Sequence, residues 1–331
     1  MKKLLLSSVL LIFFFNLFAQ QNINGHFLFQ NKTREYIVHL PTSYSFSQKY
    51  PLYICLHGGG STDSQIMDYT NLNNVSDTGE FIAVYPQGYS NSWADGRGTS
   101  DADLAGIDDV GFISRLVDTL VKKYNADTMH VYAAGISNGG FMVQRLLCRL
   151  GNKIAAGASV AAQVIDSVDY IKACPNLCSK PVIFIHGTKD NYVPYNGGPV
   201  NGQNGGNGKD GYTLSVDSSA ALWAKKNGCS TNIAGINLPN KVLSDFCRPV
   251  KITYTNCPGH NNVIVYKIID GGHTWPGADA SIITGVLLGR TNQDINAGVE
   301  IWNFFKTKSL VNCGGINQIQ TKNDEPIKAE Y

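Results

Sequence analysis

The sequence predicts an α/β fold: one domain in which a mostly parallel central sheet is covered by helices on both faces. Three observations lead there. Short, predominantly apolar runs recur at residues 52–56, 81–85, 129–134, 182–185 and 263–269, and strands of that kind are buried on both faces. Stretches with helical spacing alternate with them, which calls for crossover connections between parallel strands. The chain of 331 residues is 43% hydrophobic and only 16% charged, enough apolar surface for a sizeable core and too little charge for an extended solvated chain. No internal repeat or interdomain linker divides the pattern.

Each element has its own signal. Lys2 and Lys3 precede an apolar run over residues 4–18, broken by Ser7, Ser8 and Asn16 and closed by the small Ala19. A basic start, an apolar middle and a small residue at the end predict a secretory signal over residues 1–19, cut near Ala19. The run is shorter than the roughly 20 residues that span a bilayer, and no basic stop follows it. The expectation is an extracellular or periplasmic protein without a stable membrane anchor. Residues 36–40 read as an early strand. Residues 52–56 form the next, running into Gly58, Gly59 and Gly60, and residues 81–85 another, stopped by Pro86. Val110, Ile113, Leu116, Val117, Leu120 and Val121 share one face of a helix over 110–124. A strand at 129–134 is followed by a helix at 141–150 and a strand within 154–162. A strand at 182–185 precedes a helix at 214–226, a strand at 263–269 and a final amphipathic helix at 297–305. Residues 196–211 hold seven glycines and several asparagines and read as a flexible loop, placed over a site. Residues 311–331 are polar and read as a disordered tail, so the folded domain is taken as 20–310.

Charge and cysteines narrow the function classes. Lys and Arg total 27 against 25 Asp and Glu, a net charge of +2. With no basic cluster beyond the N-terminus, no nucleic-acid partner is expected. The eight cysteines suit an oxidising compartment and suggest disulfides. Cys174 and Cys178 are four apart, but no matching Cys/His pair has zinc spacing, so no metal site is expected. Cys55, inside an apolar strand, reads as a buried free thiol.

The sharpest chemical signal is Gly135-Ile136-Ser137-Asn138-Gly139. It fits G-x-S-x-G, with a buried strand before it and a helix after it. A tight strand-to-helix turn would hold Ser137 exposed, and the helix N-terminus favours developing negative charge there. A serine hydroxyl needs a base. Of the histidines beyond Ser137, His186 ends a strand and His260 precedes the last strand. His273 lies just past that strand, at the sheet edge where parallel-sheet sites form, and is the expected base. Asp190 follows the 182–185 strand and is held by Asn191-Tyr192-Val193-Pro194, which makes it the expected acid. Backbone N–H groups for an oxyanion are expected from Asn138 and from the turn His57-Gly58-Gly59-Gly60-Ser61-Thr62, with Gly59, Gly60, Ser61 and Thr62 as candidates. His57 is assigned to the substrate side. Two tryptophans follow strands toward the same edge: Trp93 after the 81–85 run, and Trp275 two residues beyond His273. Two flat rings near one nucleophile would suit a planar acyl group.

The segments LHGGGST, YPQGYSNSW, GISNGG, HGTKDNYVPY, GGHTWPG and INAGVEIWNFF occur in this order. Together they resemble the esterase/polyhydroxybutyrate-depolymerase family, which includes secreted feruloyl and acetylxylan esterases. The resemblance spans residues 25–306. It implies an α/β-hydrolase fold and a Ser137, Asp190 and His273 triad, with Trp93 and Trp275 near the site. It also implies acyl transfer without a metal or organic cofactor. The expected substrates are hydroxycinnamoyl or acetyl esters of plant polysaccharide, with a 3-hydroxyacid polyester or its oligomers as the alternative. A peptidase is a weaker reading. A secreted glycan-binding module is the non-enzymatic one, against which the complete Ser, His and Asp set argues. The resemblance also favours a Cys229–Cys257 bridge, since both cysteines flank the segment leading to the last strand. Cys148 with Cys174 or Cys178 is a second pairing. The glycine-rich insertion and the polar tail depart from the family pattern. Oligomeric state is left open.

Overall fold

A computed structural model describes residues 21–166, 179–201, 209–230, 233–279 and 288–310. The expected signal and tail, Cys174, Cys178, Cys313 and residues 202–208 lie outside the described residues.

The strands are β1 (Gln21–Phe29), β2 (Lys32–Leu40), β3 (Tyr50–Leu56), β4 (Ile82–Pro86), β5 (Ala126–Ile136), β6 (Ala156–Val160), β7 (Val182–Gly187), the two-residue β8 (Gly198–Pro199) and β9 (Tyr212–Thr213), β10 (Ile233–Asn237), β11 (Arg248–Tyr254) and β12 (Val263–Ile269). The helices are α1 (Asp63–Thr70), α2 (Leu72–Gly79), the short α3 (Asp101–Leu104), α4 (Asp109–Tyr124), α5 (Asn138–Arg149), α6 (Val216–Lys226) and α7 (Ala297–Phe305). Among the described residues one ten-stranded sheet runs β1-β2-β4-β3-β5-β6-β7-β12-β11-β10. Its middle, from β4 to β12, is parallel throughout. Its two ends are antiparallel, β1 and β2 at one side and β11 and β10 at the other.

The parallel strands are buried on both faces because alternate residues enter two separate cores. Leu52, Ile54, Val131, Ala133, Phe184 and Val265 face the side covered by α4, α5 and α6, where they meet Phe112, Leu116, Met142, Leu146 and Trp223. Tyr53, Cys55, Tyr132, Ile183, Ile185 and Tyr266 face the side covered by α1, α2 and α7, against Ile66, Tyr69, Leu72, Ile301 and Phe305. No helix among the described residues is long and apolar enough to cross a membrane.

Of the antiparallel ends, β2 answers to the strand expected at 36–40, whereas β1, β10 and β11 have no counterpart in the sequence pattern. β1 alternates intermediate and exposed residues over Asn22–Phe29 and so lacks the continuous apolar run that marks the central strands. The glycine-rich segment is partly regular: Gly198 pairs with Thr213 and Pro199 with Tyr212. Cys229 and Cys257 are bridged, tying the end of α6 to the segment before β12. Cys148 is also disulfide-bonded. Cys55 and Cys247 are free and buried.

Candidate active site

Five parallel strands deliver loops to one edge of the sheet: the glycine turn after β3, the Trp93 loop after β4, Ser137 after β5, Asp190 after β7 and His273 after β12. That is the carboxyl edge, where ligands bind in open parallel sheets.

Ser137 stands between β5 and α5 with φ 56° and ψ −123°, a backbone region costly for any residue with a Cβ. It is held there by neighbours with no room for side chains. A Cβ on Gly139 would stand 2.5 Å from the carbonyl oxygens of both Leu56 and His57, and one on Gly135 2.6 Å from the Gly139 backbone. The Ser137 N–H donates to the Val160 carbonyl at 2.9 Å. The turn therefore presses β5 and α5 against β3 and lifts the serine above the sheet edge.

Asp190 and His273 follow neighbouring strands, since β7 and β12 pair with Gly187 opposite Ile268. His273 Nδ1 lies 2.7 Å from Asp190 Oδ2. The other carboxylate oxygen accepts N–H bonds from Tyr192 at 2.9 Å and Val193 at 2.8 Å. His186 Nε2 donates to the Val193 carbonyl at 2.8 Å and lies 3.3 Å from Asp190 Oδ2. Burial pushes the Asp190 carboxyl up, but the charge on His273 and hydrogen bonds from both imidazoles override it and hold the group well below the usual carboxylate range. The ionised Asp190 accepts from His273 Nδ1–H whether the ring is charged or neutral, and in the neutral ring this leaves the lone pair on Nε2.

Ser137, Asn138 and His273 share a cavity of about 720 Å³. Its lining includes the apolar Ile66, Tyr69, Ile136, Tyr192, Val193, Val200 and Leu288 and the polar Gln65, Asn91, Thr99, Asp101, Arg97 and Asp210. Val200 and Asp210 bring both ends of the glycine-rich segment to the cavity. The Tyr192 ring centroid is 5.4 Å from that of His273.

Four sequence expectations change at this point. Of the turn amides, Gly60 N–H donates to the Asn91 carbonyl at 2.8 Å and Ser61 N–H to that of Gly58 at 3.2 Å. Thr62 N–H donates to Gln65 Oε1 at 3.1 Å, completing the capping box of α1. Those three are engaged within the chain, and of the four expected donors only Gly59 is left. His57 is fully buried. Its Nε2 accepts from the Gly88 N–H at 2.9 Å, so its proton is on Nδ1, donated to the Gly58 carbonyl at 2.8 Å. Burial pushes its pKa down to about 4, against a smaller opposing effect of the Gly58 bond. It latches the turn to the next loop and does not line the cavity. Trp93 and Trp275 are also fully buried, each in one of the two cores. Trp93 donates from Nε1 to the His57 carbonyl at 2.9 Å, and the Trp275 N–H donates to Tyr69 Oη at 3.0 Å. Neither ring reaches the cavity wall. Their loops do start at the sheet edge, as read, but apolar rings of that size fold back into the cores.

Three residues were missed. Tyr192 was seen only as part of a turn. Asp95 and Arg97, an opposite-charge pair beside Trp93, form a buried ion pair at 2.8 Å; their spacing in a loop rather than a helix gave no periodicity to read.

Residues 34–169 match the family model described as Esterase PHB depolymerase. The bifunctional acetylxylan esterase/xylanase XynS20E of Neocallimastix patriciarum is 28% identical over 175 residues, 53% of this chain and 24% of that protein. Feruloyl esterase B of Piromyces equi is 28% identical over 244 residues, 72% of this chain and 42% of that protein. The chain thus spans less than half the length of either relative. Among solved structures, an acetyl xylan esterase from Aspergillus awamori superposes with a TM-score of 0.50 at 16% identity, over 73% of this chain and 89% of that one, which speaks for the fold. The fold is that of the α/β-hydrolases, and the chain is similar over residues 34–169 to the esterase PHB depolymerase family and, at modest identity, to acetylxylan and feruloyl esterases.

Proposed function

We propose that the chain is a secreted serine carboxylic-ester hydrolase, with Ser137 as nucleophile, His273 as general base and Asp190 as the group that orients that base and stabilises the imidazolium it becomes. One observation carries the reading. A serine on a strained strand-to-helix elbow and a histidine bonded to a buried carboxylate open into the same cavity. His273 Nε2 takes the Ser137 proton as Oγ attacks the ester carbonyl. The Asn138 and Gly59 N–H groups receive the tetrahedral oxyanion. His273 then gives the proton to the leaving alcohol, and water repeats the two steps on the acyl-enzyme. The Ser137 proton leaves with the alcohol, the proton taken from water returns to Ser137 Oγ, and the imidazole ends neutral with no redox change.

The substrate reading is a hydroxycinnamoyl or acetyl ester of plant polysaccharide. Its support is the names of the two relatives and a cavity whose lining offers apolar side chains to an acyl group and hydroxyl, amide and charged groups to a polyol. The description of the matching family favours a second reading, hydrolysis of a 3-hydroxyacid polyester. Secretion is supported by the Lys2–Lys3 start and apolar run of the N-terminus and by the Cys229–Cys257 bridge. Purified protein assayed on methyl ferulate, acetylated xylan and polyhydroxybutyrate distinguishes the readings. Turnover of either of the first two supports the polysaccharide-ester reading, and turnover of polyhydroxybutyrate alone replaces it with the second.

A further inference from the structure

The loop after β4 makes a set of bonds that the chemistry above does not use. It joins the two backbone segments that carry the Gly59 and Asn138 amides. Toward the glycine turn, the fully buried Trp93 donates from Nε1 to the His57 carbonyl at 2.9 Å. Toward α5, the Trp93 N–H donates to Asn138 Oδ1 at 2.7 Å, and Asn138 Nδ2 donates to the Trp93 carbonyl at 3.0 Å and to Asp95 Oδ2 at 2.6 Å. Every donor and acceptor of the Asn138 side chain except one lone pair is thereby engaged.

Asp95 is fully buried. Besides Asn138 it accepts from the Arg97 N–H at 3.0 Å and from Arg97 Nε at 2.9 Å. Arg97 is in turn fixed over the Phe141 ring at 4.4 Å and donates to the Asp210 carbonyl at 2.9 Å. The two held segments are adjacent: a Cβ on Gly59 would stand 3.7 Å from that of Asn138. A buried carboxylate with charged and amide partners costs free energy to assemble, and fixed polar partners are how reacting geometry is kept.

We infer that Trp93, Asp95 and the Asn138 side chain form a bracket that sets the spacing of the Gly59 and Asn138 amides, so that both point at one oxyanion. Their side chains only position: none takes a proton or binds the oxyanion, and the bracket acts through the Gly59 and Asn138 backbone N–H groups. This inference rests on the esterase reading of Ser137. Misplacing an oxyanion donor costs less than deleting one, which typically lowers turnover by about 100–1000-fold, so loosening the bracket lowers kcat by roughly 10–100-fold.

The test uses the secreted protein with Trp93→Phe, which keeps a ring but removes the bond to His57, and Asn138→Ala, which removes the bonds to Trp93 and Asp95. Ser137→Ala is run beside them. The rate assay is p-nitrophenyl acetate hydrolysis. A trifluoromethyl ketone, which adds to the serine as a tetrahedral oxyanion, reports the amides directly. Trp93→Phe is expected to fold, to lower kcat with KM within about twofold, and to raise Ki for the ketone by the same factor. Asn138→Ala, where folded by its thermal midpoint, shows the same pattern. Parent kcat and Ki in Trp93→Phe, a rise in KM alone, or a fall in thermal midpoint alone overturns the bracket while leaving the esterase reading intact. Parent turnover in Ser137→Ala overturns both.

Discussion

Ser137 keeps its positive φ because the glycines around it leave no space for relaxation, and the same crowding dictates what the neighbouring side chains do. His57 is the clearest example. It is neutral by construction, donating at Nδ1 and accepting at Nε2, and its pKa is pushed down to about 4. The unfolded chain binds the proton at about pH 6.5, so stability contributed by the neutral ring is present above that value and lost as pH falls toward 4. Between pH 6.5 and 4.5 the loss is about 2 kcal/mol from this group. His57→Gln should flatten that part of the pH dependence in urea unfolding; an unchanged slope would show that the latch is not what titrates. At the cavity itself, the Tyr192 ring lies against His273, whereas Trp275 is core. Tyr192→Ala should lower methyl ferulate kcat/KM relative to p-nitrophenyl acetate by roughly 2–10-fold. Trp275→Ala should cost about 3–5 kcal/mol of stability and leave that ratio unchanged. The reverse assignment of the two effects would restore the tryptophan to the substrate.

At the scale of elements, the two-faced strands were legible because each needs an apolar residue at every position. β12 and α7 were read to the residue, and β3, β4 and β7 to within two. The edge strands β1 and β10, and β11 beside β10, were not legible, since β1 and β10 expose much of their surface and a sheet edge imposes no apolar run. α1 and α2 were missed because their apolar residues are few: α1 buries only Ile66, Tyr69 and Thr70, although Thr62 and Gln65 already spelled its capping box. The Cys229–Cys257 bridge joins α6 to the approach to β12, 28 residues apart and at the edge opposite the cavity. Replacing both by serine should cost about 3 kcal/mol in urea unfolding with kcat within twofold. A matching fall in kcat would mean that the bridge orders the site.

At the scale of the molecule, chain order and parallel topology carried the site. Ser137, Asp190 and His273 could be chosen from the sequence because each follows a buried strand, and strands that run together end together. Order along the chain says nothing about which way a side chain turns, which is why the same reasoning put Trp93 and Trp275 in the cavity and the structure puts them in the cores. Nor could it show that Asn138 and Asp95 meet across 43 residues. The central claim is that this shared edge makes Ser137 a nucleophile. It is tested most directly by exposing the purified protein and its Ser137→Ala variant to a fluorophosphonate and locating the adduct by peptide mass. Stoichiometric labelling is expected at Ser137 in the parent and none in the folded variant, together with loss of ester turnover by several orders of magnitude in that variant. A parent that stays unlabelled, or a folded variant that is labelled and hydrolyses p-nitrophenyl acetate at the parent rate, would contradict it.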